Sequence, residues 1–265
     1  MSFPKFTRTI GPIIALALAA GLNGCNSAKI EIDGEEGKTL AELDLSAPAP
    51  HKLVMLGPDA VEITSGDKLA IRVDGDADAA ALMRFTLKDG TLGILRKGKL
   101  FGYQSKHAVV HVTMPPASEL TMAGSGTLTA DALADEAKVT IAGSGDVSTP
   151  NLRGKALELT IAGSGTYHAA GSLDSLDLTI AGSGSIAAEA LKAATTKVMI
   201  AGSGNAVFAS DGVVDAQIMG SGQVTVKGRA HCTVSALGSG KLVCETPATV
   251  KAGDDAEDKP DKEDK

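Results

Sequence analysis

The chain has 265 residues, 43% of them hydrophobic but only 3% aromatic, with no Trp and 31 Gly. That composition excludes a core built around aromatic rings and favours a thin aliphatic core extended by repetition. Formal charge is −7, and the basic residues are scattered rather than clustered, which excludes nucleic acid as a partner.

Lys5 and Arg8 precede an apolar run from Ile10 through Leu22, interrupted at Gly11 and Pro12 and followed by small residues up to Cys25. This is the pattern of a secretory leader, assigned to residues 1–24. The run falls short of the ~20 apolar residues that a bilayer-spanning helix needs. Leu22-Asn23-Gly24-Cys25 resembles the bacterial lipobox, although Asn23 departs from the usual small or aliphatic residue. The resemblance implies lipidation of Cys25 and a membrane partner through the acyl chains. A cut near Ala17-Leu18-Ala19, leaving Cys25 a thiol, is the alternative. Asn26 is not acidic, which points the anchored protein to the outer membrane, facing the periplasm or the surface. The polar, acidic remainder of residues 25–50 reads as anchor and linker.

Apolar alternation in 51–55, 60–64, 69–73, 83–87, 91–95 and 109–114 predicts opening coils and a cap. Within this region Asp74, Asp76 and Asp78 alternate, but Ala79 and Phe85 stand where a calcium loop needs Gly and Glu. The stretch reads as an acidic solvent loop. His107 and His111, four residues apart on a strand, would lie ~13 Å apart, too far to share a metal ion. No metal or cofactor is expected.

Gly-Ser-Gly then recurs seven times, beginning at Gly124, Gly143, Gly163, Gly182, Gly202, Gly220 and Gly238. Two residues before each first Gly stand Met122, Ile141, Ile161, Ile180, Ile200, Ile218 and Ala236. Two further back stand Leu120, Val139, Leu159, Leu178, Val198, Ala216 and Val234. Beyond the glycines a third column holds Leu128, Val147, Tyr167, Ile186, Ala206, Val224 and Leu242. Apolar residues at every second position mean strands with one buried face. Because the columns match in one direction from repeat to repeat, the partners are equivalent strands of successive coils. The predicted fold is an all-β, single-stranded parallel β-helix over residues 51–250, with coils of about 19 residues cornered at Gly-Ser-Gly. Charged residues 251–265 read as a disordered tail.

Five residues before the first Gly, an outward column reads Glu119, Lys138, Glu158, Asp177, Lys197, Asp215, Thr233. Its mostly alternating signs suit neighbours ~4.8 Å apart in a parallel stack. Glu158 beside Asp177 breaks the alternation and offers two carboxyls at glycosidase spacing. A solvated charge ladder explains the pair as well. The serine column lacks a base, and the outward threonines Thr121, Thr140, Thr160 and Thr179 are followed by alanines rather than a second threonine rank. No catalytic residue is assigned.

The order of "VEITSGDKLAIRV", "LKDGTLGIL", "VVHVTMPPASELTMAGSG" and successive "IAGSG" coils resembles the bacterial domain described as an auto-transporter adhesin, head GIN domain, over roughly residues 51–246. The resemblance implies an adhesion-type β-helix with no catalytic residues to carry over. The expected function is a non-catalytic scaffold of the cell envelope whose partner is an envelope glycan or an envelope protein. The alternative is a polysaccharide-processing β-helix enzyme. Finally, Cys232 and Cys244 share the inward parity of the apolar columns in the last coil. Two outcomes stand open: a disulfide stapling that coil in an oxidising compartment, or two small buried thiols.

Overall fold

A computed structural model describes residues 31–32, 35–97 and 106–245. The leader, Cys25 and the charged tail lie outside the described residues. Two short strands, β1 (Glu31–Ile32) and β2 (Glu35–Glu36), pair antiparallel ahead of the body. The opening region holds β3 (Lys52–Gly57), β4 (Ala60–Ser65), β5 (Ala70–Gly75), α1 (Ala77–Ala81), β6 (Met83–Lys88), β7 (Thr91–Arg96) and β8 (Ala108–Met114).

The repeats then supply β9 (Ala117–Gly124), β10 (Thr127–Ala130), β11 (Leu133–Gly143) and β12 (Asp146–Gly163). They continue as β13 (Thr166–Gly182), β14 (Ser185–Gly202), β15 (Asn205–Gly220), β16 (Gln223–Lys227), β17 (His231–Gly238) and β18 (Lys241–Glu245). All pairings among these later strands are parallel, and the corners stack in register, as in Gly143↔Gly163↔Gly182↔Gly202. The protein is a parallel β-solenoid, as the columns predict.

The corner explains its glycines. Gly182 has φ +126°, a conformation that side-chain-bearing residues rarely adopt, and an added Cβ would sit 2.5 Å from the Gly163 carbonyl oxygen. That same oxygen accepts the Ser183 N–H at 2.9 Å, so the tight corner and the inter-coil hydrogen bond come from one backbone arrangement. Serine itself contributes no buried group: Ser183 is exposed. Leu159, Ile161, Leu178 and Ile180 are buried from one wall and Val147, Tyr167 and Ile186 from the wall beyond the corner.

Three features depart from the sequence reading. The acidic stretch is not merely a loop: Asp76 caps helix α1, accepting from the Asp78 and Ala79 N–H groups at 3.0 and 3.1 Å. The opening end is not purely parallel either, since β5 runs antiparallel to β8 and β6 antiparallel to β7. Part of the expected linker packs onto the body: Ile32 is buried with Val54, Leu56 and Leu95, and Lys38 bridges to Phe85.

Spatial order also differs from chain order. β3 pairs with β7 on one edge and β9 on the other, and β4 lies likewise between β8 and β10. The first coil in the chain is thus the second in the stack, and Pro115-Pro116 carries the chain past it.

Candidate functional site

The outer wall that precedes each corner carries three aligned columns, because side chains at alternate positions of parallel rungs superpose. Its charged column runs as anticipated, with Lys138 in register between Glu119 and Glu158. Lys138 pairs with Glu158, and Glu119 with Lys52 of the adjoining coil, both at 3.2 Å. Asp177 is in register with Lys197.

The threonine column passes from Thr121, Thr140, Thr160 and Thr179 into Met199, Gln217 and Ser235. Beside it, Ala123, Ala142, Ala162, Ala181 and Ala201 lead to Met219 and Leu237, both exposed. The two columns nearest the corner are therefore short-chained along most of their length and apolar at their end.

Glu158 and Asp177 occupy neighbouring rungs of this wall, whereas Asp146 and His168 lie on the wall beyond the corner. The fold does not gather these four into one cluster. Asp74 is drawn into a different group: His111 Nδ1 lies 3.0 Å from Glu62 and Nε2 3.2 Å from Asp74, which also pairs with Arg72. His107 instead sits with Nδ1 3.0 Å from the Pro58 carbonyl oxygen. Among the described residues, no group of three His, Cys, Asp or Glu side chains is placed to hold a metal ion.

Sequence reasoning missed the buried polar pairs. Asp59 accepts from Arg96 Nε at 2.8 Å, from Arg96 Nη2, and from the Ala108 N–H at 2.8 Å, all out of solvent. Gly57-Pro58-Asp59 occupies the corner that later coils fill with Gly-Ser-Gly, as the register Gly57↔Gly124 shows. Aligning that tripeptide with the repeats would have flagged Asp59 as a charge where other coils hold buried glycine. Tyr167 is likewise enclosed, its hydroxyl 2.5 Å from Thr149 Oγ1, and burial pushes its phenol above the usual range. On the surface, Lys192 at 2.5 Å and the Arg229 N–H hold the Asp211 carboxyl down, to about 2.

In the last coil Cys232 and Cys244 are joined as a disulfide, with Cα atoms 6.7 Å apart. Cys25, the expected lipidation residue, lies outside the described residues. No helix among the described residues is long and apolar enough to cross a membrane.

Residues 49–230 match the family described as "Putative auto-transporter adhesin, head GIN domain". The chain belongs to this family. Solved structures extend the likeness of fold. A "putative adhesin" from Bacteroides fragilis is 20% identical with a TM-score of 0.64, the match covering 75% of this chain and 92% of that one. A "putative lipid binding protein" from Parabacteroides distasonis is 22% identical with a TM-score of 0.61, covering 75% and 93%. A "putative adhesin" from Parabacteroides merdae is 19% identical with a TM-score of 0.60, again covering 75% and 93%. No functionally curated protein matches the chain. At these identities the solved structures show a likeness of fold and nothing about a ligand.

Proposed function

We propose that this head GIN protein is an exported, lipid-anchored scaffold of the cell envelope that acts by adhesion rather than catalysis. The observation that carries the reading is the repeated outer wall. Successive rungs present the same short side chains in register, Thr140, Thr160 and Thr179 beside Ala142, Ala162 and Ala181. Such a surface suits contact over area, whereas catalysis needs unlike groups converging on one reacting atom. The family's adhesin description and the "putative adhesin" neighbours favour the same reading.

The way the chain enters the body adds mechanical support. An anchor upstream of residue 31 delivers load to β3, which is hydrogen-bonded to parallel neighbours on both edges. The partner fitting this wall is an envelope glycan or envelope protein; the lipid-binding description of one neighbour makes an acyl ligand a further arm of the assay.

A pull-down from envelope extract tests the scaffold, with Thr160→Arg/Thr179→Arg expected to abolish retention while alanine at Asp146, Glu158, His168 or Asp177 leaves it intact. Total loss of a measured activity from one of those alanines would favour a polysaccharide-processing enzyme. The anchor is tested separately: a fatty-acid probe labels the wild type and not Cys25→Ser, and equal labelling of both refutes it.

A further inference from the structure

The two ends of the solenoid are finished differently. At the opening end, antiparallel β5 and β6 close the stack, α1 lies against β5 and β8 with Ala79 buried, and Lys38 pairs with Phe85 at the edge of β6. At the other end, among the described residues, β17 pairs only with β15 and β18 only with β16. Among the described residues, no strand or helix covers the core at that end. Val234 stands in the column of Ala216 and Val198, both buried, yet is 47% exposed.

The terminal edge carries a defined set of unpaired groups. Lys241 N–H reaches back to Gly222, so strand alternation turns the N–H and C=O of Leu242 and Cys244 toward the open end. By the same alternation β17 offers those of Cys232, Val234 and Ala236. Natural proteins blunt such edges with proline, bulges or inward charge, and residues 228–245 contain no proline, pair without a register shift, and turn Cys232, Val234, Ala236, Leu242 and Cys244 inward. Leu237, 76% exposed, and Met219 extend the apolar end onto the outer wall.

We propose that this end docks against the same end of a second copy of the chain, joining two solenoids tail to tail. A two-fold axis across the solenoid reverses strand direction, so β18 meets β18 of the second copy antiparallel. Centred on Val243, that register sets Lys241 of each copy opposite Glu245 of the other, two opposite-charge pairs across the joint. The chain's own residues 246–265 suit the apolar end poorly, because Val250 is their one large aliphatic side chain and eleven of them are charged. The joint leaves both capped ends outermost. With the anchor placed upstream of residue 31, as proposed above, it would connect copies held on facing surfaces and make the protein a self-recognising adhesin.

The test is photocross-linking of the full chain in intact cells co-expressing two differently tagged copies. A photoreactive phenylalanine analogue placed at Val243 should give a product carrying both tags, while the analogue at Glu158, mid-wall, should not. Thr233→Lys, which puts like charges near the joint without entering the core, should reduce the two-tag product severalfold with the far-ultraviolet circular dichroism unchanged. A one-tag product whose mass is not that of two chains, with no two-tag product, would mean a different protein partner, and a cross-link within one chain would mean the tail covers the end. Either result, equal cross-linking from Glu158, or no product overturns the proposal. The cross-link reads the joint whether or not Cys25 is acylated, so its failure is distinct from failure of the anchor.

Discussion

Alanine at two corner glycines should produce the same local damage with different reach. Gly182 and Gly238 are matched: φ is +126° and +116°, and an added Cβ in either would stand 2.5 Å from the carbonyl oxygen of the glycine one coil below. Holding a non-glycine residue in such a conformation costs about 1–3 kcal/mol. At Gly182, relieving the contact also moves Gly163 away from the Ser183 N–H that its carbonyl accepts at 2.9 Å, forfeiting about another 1–2 kcal/mol. Gly182→Ala should therefore lose about 2–5 kcal/mol in urea unfolding followed by far-ultraviolet circular dichroism, because coils are packed above and below it. In Gly238→Ala no further coil lies beyond among the described residues, so in the single chain the strain is shed by opening the last coil alone. Hydrogen exchange should then quicken only in β17 and β18, with the main unfolding midpoint nearly unchanged. Ser183→Ala, at an exposed side chain, is the control and should stay within about 0.5 kcal/mol. A loss under about 1 kcal/mol for Gly182→Ala, or equal global losses at both glycines, would refute the account of the corner.

The buried polar pairs yield further tests. Tyr167→Phe leaves the Thr149 hydroxyl buried without its partner and should lose about 1–3 kcal/mol in urea unfolding, with much of that recovered in Tyr167→Phe/Thr149→Val. Because burial raises the Tyr167 phenol above its unfolded value of about 10, its contribution is complete below that pH. It declines as alkali ionises the unfolded chain, an effect Tyr167→Phe should diminish. Asp59→Ala strands the Arg96 guanidinium and the Ala108 N–H and should lose about 3–5 kcal/mol, against under about 1 kcal/mol for Lys138→Ala on the outer wall. The Cys232–Cys244 bridge spans 12 residues and should contribute about 3 kcal/mol to the last coil; thiol titration of the unfolded, unreduced protein should find neither cysteine reactive.

Sequence alone determined the repeating part of this protein. A 19-residue period, columns at alternate positions and glycines flanking one serine have a single consistent solution, parallel rungs in register, and the register Leu159↔Leu178 and Gly163↔Gly182 follows from it. Repetition makes this legible, because each coil restates the constraint its neighbour imposes. The inward parity of Cys232 and Cys244 was legible on the same grounds, but whether their Cα atoms came within bridging distance depended on how far apart the last coil holds its two walls.

Only tertiary structure decided the opening region and the two ends. Residues 51–116 carry the alternation of strands, but alternation records which face is buried and not which strand lies beside which. Hence the placement of β3 and β4 between strands that come later in the chain had no local signature. The Asp59–Arg96 pair joins residues 37 apart through that placement, and the Glu62–His111–Asp74 group depends on β5 turning antiparallel against β8. The open terminal edge is likewise a property of the stack, in which no described strand follows β17 and β18. A column of apolar residues reads the same in the last coil as in the middle, and only the stack reveals that Val234 has no neighbour beyond it among the described residues.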